Sequence, residues 1–221
     1  MSEKIARKPD GAHSGSETAA ARTREFSAFK GIRTGPLEIK DSDELLKLAG
    51  GKNLRLNGDV VITSDVWEKF PYGIEIDGSL RCSVLKLAGA LKVTGAIRAT
   101  IIEADGDIAA KSASIGALAN AGDVAVEGVL EAESITTMNV KAGAVLTKSI
   151  RATSVTAKEL AAESASIETI DAGTVIVEGM LKCTAARANR LIAEKVEPFK
   201  DGMDLQVRDL RVGDTAPPER L

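Results

Sequence analysis

The chain has 221 residues, 44% of them apolar and 28% charged, with a formal charge of −3. Those values suit one globular domain, or one domain with tails, and near-neutrality gives no electrostatic case for nucleic acid. No apolar run approaches the ~20 residues of a membrane helix, and no apolar signal-peptide core stands at the N-terminus, so a cytoplasmic protein is expected.

Residues 1–35 are rich in Ser, Ala, Gly, Lys and Arg, and their composition predicts a disordered tail. The only histidine, His13, falls in it and reads as solvated. Within the tail, "REFSAFKGIR" sets Phe26, Phe29 and Ile32 among Arg24, Lys30 and Arg33, a candidate segment for a membrane surface or a partner.

Residues 36–73 read as an N-terminal connector or cap. Asp41 and Glu44 have the spacing of a capping box ahead of "LLKLAG", and Gly50-Gly51 can end a short helix there. "NLRLNGDVVIT" then alternates as strands do. Trp67, Phe70 and Tyr72 gather just before residue 74, and the expectation is that they cap one end of the domain that begins there.

Residues 74–196 carry a repeat. In "SIRATSVTAKELAAESASIETIDAG", Ile150, Val155, Leu160, Ala165 and Ile170 fall five apart, each followed two places later by a small or apolar residue. A helix repeats at 3.6 and a strand at 2. Pairs at steps of five or six continue back to Ile74 and forward to Leu191, blurred only near Leu118 and near Val145-Leu146. An apolar pair around one outward residue is a three-residue strand with one wet face. Such a strand cannot bury its face alone, so successive turns must stack. The fold expected is all-β: a single-stranded parallel β-helix, or β-solenoid, of about seven coils. A narrow coil admits Val, Ile, Leu and Ala but few rings, which accounts for the 3% aromatic content.

Glycines recur at the distance of three steps, as from Gly78 to Gly95 and from Gly89 to Gly106 to Gly122. Others, such as Gly95 and Gly116, stand at the distance of four. Three strands per coil, a triangular section, is preferred over four. A glycine at a fixed corner would serve a positive φ. Cys82 and Cys183 occupy small-apolar positions of the repeat and read as buried free thiols.

Residues 197–221 form a C-terminal extension and tail that ends in "DTAPPERL" and holds one alternating stretch, "MDLQVRDLRV". Pro198 cannot donate to a ladder, so regular coiling is expected to stop there. Phe199, with Val196 and Leu191, is then the expected assembly interface across the last coil.

The stretch "GALKVTGAIRATIIEADGDIAA" (89–110) reads hydrophobic-x-Val-x-Gly-x-Ile-x-Ala, then Gly-Asp-Ile-x-Ala. "GDVAVEGVLEAESI" (122–135) and "GTVIVEGMLKCTA" (173–185) repeat it. This pattern resembles the bactofilins, bacterial cytoskeletal proteins. The resemblance covers residues 74–196 and implies a right-handed, triangular β-helix between disordered tails. It also implies end-to-end polymerisation without nucleotide or other cofactor. Attachment to the inner face of the membrane and recruitment of cell-wall enzymes would run through the tails. The helix and aromatic cluster at 36–73 depart from the family pattern.

The repeat lacks the chemistry of an enzyme. Hexapeptide-repeat acyltransferases are triangular solenoids too, but they need a histidine base, and the repeat has none. No phosphate-binding loop is present. Glu127, Glu131, Glu133 and Glu178 read as a solvated rim. No catalytic, cofactor or metal site is expected. The alternative function is a capped, non-polymerising binding module that presents its flat flanks to a protein partner.

Overall fold

The computed structural model describes residues 23–26, 36–199 and 202–213. Among them are sixteen strands and one helix, and every strand pairing is parallel. The chain is a β-solenoid of about nine turns.

The coil length follows from the pairing. Ile97 lies beside Ala113, Ala113 beside Leu130, and Leu130 beside Val145, so one coil takes up three steps of the repeat. A complete turn accordingly holds three paired segments, as where residues 123–126, 129–132 and 134–136 meet 139–142, 144–147 and 149–151. Inward residues therefore form three columns. The first runs Leu54, Ile74, Leu91, Ile108, Val124, Val140. The second runs Val60, Leu80, Ile97, Ala113, Leu130, Val145. The third runs Val66, Leu85, Ile102, Leu118, Ile135, Ile150. Beyond these, Asn139–Cys183 is one unbroken extended run of 45 residues. Side chains still reach back one coil within it, as where Ser154 Oγ meets Asn139 Oδ1 at 2.6 Å and Thr169 Oγ1 meets Thr153 O at 3.3 Å.

Every leading residue of the repeat from Ile74 to Leu191 is buried. So are Leu118 and Val145, where the pattern blurs. The coils also extend beyond residues 74–196 at both ends. Residues 37–39, 53–57, 60–62 and 66–70 of the expected connector are themselves strands of the stack. Past Pro198, Asp204–Val212 pairs along Ala185–Ala193, so coiling resumes instead of stopping at the proline. Pro198 itself closes the third column, beside Cys183, where no described residue demands its missing N–H.

The corner glycines have a different role from the one expected. Among the described residues, positive φ occurs at Gly50, Gly51, Gly58, Gly202 and Gly213. Gly78, Gly89, Gly95, Gly106 and Gly122 are not in that group. Instead they sit against one another across coils. A Cβ on Gly106 would lie 2.7 Å from Ala90 N, and one on Gly95 2.7 Å from Gly78 O. Close backbone approach at the corner, not a left-handed turn, excludes a side chain there.

Cys82 and Cys183 are free and buried. Burial, with a smaller contribution from Asp65, pushes the Cys82 thiol up to about 12.

Candidate assembly surfaces

A solenoid satisfies its backbone everywhere except at its two end coils, where a row of N–H and C=O groups lacks a neighbour. Any assembly by strand addition must begin there.

The C-terminal end is Asp204–Val212. Its alternating sequence points Leu205, Val207, Leu210 and Val212 along the inward columns, over Ala186, Ala188, Leu191 and Ala193. No described strand lies on its other side. Leu210 and Val212 are consequently 46% and 49% exposed, although the positions beneath them are fully buried. Met203 stands beside this end, its Sδ 3.9 Å from Cys183 Sγ, and is also exposed.

The three residues expected at this interface separate. Leu191 is fully buried because Leu210 stacks on it. Val196 is half-buried beside Leu181 in the third column. Phe199 is exposed, and its backbone N–H donates to Cys183 O at 3.0 Å. The residues that face the open end are Leu205, Val207, Leu210 and Val212 in the first two columns, with a legible signal in the alternation of "MDLQVRDLRV", and Val196 in the third, which no described strand covers. Next to this end Lys195 bonds Glu197, which holds the Glu197 carboxyl below its usual range, with Lys182 adding to the effect.

The N-terminal end is built differently. The turn from Leu37 to Val60 is longer than the turns above it, because the helix Ser42–Ala49 stands where a third-column strand would otherwise run. Half of the expected capping box forms, and Glu44 reaches one residue beyond the N-cap. Asp41 Oδ1 accepts from Glu44 N at 2.9 Å, and Glu44 Oε2 accepts from Lys40 N at 2.7 Å. Gly50, at φ 54°, closes the helix with its N–H on Leu46 O. Leu45 and Ala49 are fully buried and join the core, with the helix lying against Val66–Phe70. In the first column, Thr23–Phe26 adds a further parallel strand on Asn53–Asn57.

The aromatic cluster splits in the same region. Phe70 is buried in the coil, and Tyr72 meets it edge to face at 5.6 Å between ring centres. Trp67 is 57% exposed. Val66 and Phe70 pair with Leu85 and Leu87, so four residues span the distance of two, and Trp67, Glu68 and Lys69 bulge outward. Lys86 Nζ lies 5.6 Å from the Trp67 ring centre. Phe26 lies in the added strand, paired with Leu56. Phe29 and Ile32 fall outside the described residues.

The flanks carry rungs of charge. Lys69 Nζ reaches Asp105 at 2.8 Å, and Lys86 Nζ reaches Glu103 at 2.8 Å. The bond to Asp105 raises the Lys69 amine above its usual range. Glu127, Glu131, Glu133 and Glu178 are exposed. A shallow trough of about 500 Å³ runs over Ala109 and Ala125, with Lys92, Lys111, Lys141, Glu75 and Glu127 on its walls. Among the described residues no cluster of His, Cys, Asp and Glu is arranged to hold a metal, and no helix is long and apolar enough to cross a membrane.

Comparison with family models, with curated proteins and with solved structures finds no match to this chain.

Proposed function

We propose that this protein is a bactofilin-like scaffold that works by self-assembly, without nucleotide or other cofactor. The observation that carries the reading is the open C-terminal coil, an unpaired edge strand whose inward residues Leu210 and Val212 stand exposed. Two such ends meeting would pair edge to edge and bury both rows of apolar side chains. Each fully buried Val or Leu contributes roughly 1.5–3 kcal/mol. In this reading the coil is right-handed and triangular, as in that family. In the same reading the protein lies inside the cell, and the segment from the strand that carries Phe26 on to Phe29 and Ile32 meets the inner membrane surface or cell-wall enzymes.

The helix over the N-terminal turn favours a second reading. An end covered in its third column by Leu45 and Ala49 stacks poorly on another coil. Assembly would then stop at C-terminal-to-C-terminal dimers, and the protein would act as a capped module offering its flanks to a partner.

Light scattering and electron microscopy of the purified protein test both. The expected result is dimers or filaments from the wild type. Leu210→Arg should give monomers with an unchanged circular dichroism spectrum. Filaments would support the scaffold and dimers the capped module. A wild-type chain that stays monomeric at high concentration overturns assembly.

A further inference from the structure

The outward positions of a soluble solenoid should be polar, and most are. On one stretch of the second column's outer face they are not, although Arg81, Arg98 and Ser114 keep it polar further towards the N-terminal end. From Glu131 the outward row runs Leu146, Ala161, Ile176, Ile192 and ends at Arg211. Glu131 pairs with Leu146, Ile176 with Ile192, and Ile192 with Arg211. Ala161 lies between, since the coil step there is 15, as where a Cβ on Gly173 would sit 2.7 Å from Lys158 O. Leu146 is 37% exposed, and Ala161, Ile176 and Ile192 are half-buried. Four consecutive apolar rungs, closed by an acid at one end and a base at the other, form a contiguous patch of the kind that marks a contact surface.

We propose that this row is a lateral interface with a second copy of the chain lying antiparallel. The row is self-complementary under a two-fold axis passing between Ala161 and Ile176. Reversal places Glu131 opposite the other copy's Arg211, Leu146 opposite Ile192, and Ala161 opposite Ile176. Each small side chain thus meets a large one, and each end charge meets its opposite. A parallel arrangement would set Glu131 on Glu131 and Arg211 on Arg211. At the rim, Lys148 would face Glu194 and Glu163 would face Glu178, one attractive and one repulsive pair. Six rungs at ~4.8 Å make a strip about 24 Å long. At about 10 Å wide the strip covers roughly 240 Å², well short of the ~800 Å² per partner of a stable complex. The contact is therefore weak between single molecules and is best detected by trapping. It does not depend on the open C-terminal coil.

The test uses the full chain carrying Ala161→Cys and a short bismaleimide. Cys82 and Cys183 are buried and do not compete. In a C-terminal-to-C-terminal contact the two copies of residue 161 would be separated by three coils on each side, about 30 Å, so cross-linking here reports the lateral contact alone. The expected result is a cross-linked dimer at least fivefold above that of Ala109→Cys, which is outward on the first column. Adding Ile176→Glu, or Ile192→Glu as a second variant, should abolish the excess without changing the melt. Glu131→Arg or Arg211→Glu alone should reduce it, and both together should restore it. No excess over Ala109→Cys overturns the interface, as does an excess indifferent to both Ile176→Glu and Ile192→Glu. Failure of the double charge reversal to restore it overturns the antiparallel pairing.

Discussion

Ile97 and Arg98 are adjacent, yet one is fully buried and the other faces water. The strand's period of two alone separates them. Ile97→Asp should place a carboxylate inside the coil at a cost of several kcal/mol. Arg98→Asp should leave the melting temperature nearly unchanged. Equal effects in thermal melts would contradict the inward–outward alternation. The same contrast explains where the repeat is hard to follow. Near Leu118 the second member of the pair is Asn120, buried with its Oδ1 unpartnered and its Nδ2 on Asp123 O. In the coil above, Thr137 takes the matching place and donates to Gly122 O at 3.0 Å. Near Val145 the blur has the opposite cause, because the outward neighbour Leu146 is apolar. The glycine spacing is visible in the sequence, but its reason is not. A positive φ is a property of one residue's backbone, whereas the approach of Gly106 to Ala90 N depends on how closely two coils stack.

At the scale of elements, the helix Ser42–Ala49 is legible because its signals are local: an acceptor at Asp41, Glu44 three places on, and glycine after the last turn. Asp41→Ala should cost about 1 kcal/mol. Hydrogen exchange can check this, with faster exchange expected at the amides of Leu45 to Ala49 and no change at Ile97. The limits of the solenoid are less legible. The turn that contains the helix, from Leu37 to Val60, and the turn past Pro198, from Leu191 to Leu210, both carry insertions that break the rhythm of the repeat. A period search ends where the insertions begin, although the strands beyond them keep their columns. Leu191 reads as the end of the stack for that reason, and the coil carrying Leu210 covers it. Trp67, Phe70 and Tyr72 are neighbours in sequence, but the bulge that turns Trp67 outward depends on pairing with Leu85 and Leu87, which composition does not reveal.

Across the described residues, backbone pairing joins each coil only to the coil before it and the coil after it, while Lys69 reaches two coils on to Asp105. Stability is then close to a sum of neighbour terms, and it is lowest at the end strands with one neighbour, Asp204–Val212, Leu37–Ile39 and Thr23–Phe26. This architecture is legible because one rule repeats through more than half of the chain. The candidate surfaces are where the rule lapses, at the two ends and along the outward row from Leu146 to Ile192. One consequence of the coil-on-coil bonding is mechanical. The interstrand hydrogen bonds run along the long axis of the rod, so tension applied at its ends peels one strand at a time and never loads the whole ladder together. Yielding should therefore be stepwise, each coil releasing about 5 nm of chain at low force. An optical-tweezers trace with regular steps of that size would show the rod to be a serial spring, and a single abrupt rupture would contradict it. Compression along the same axis pushes stacked coils together and meets far greater stiffness, so the molecule is better suited to act as a strut than as a cable.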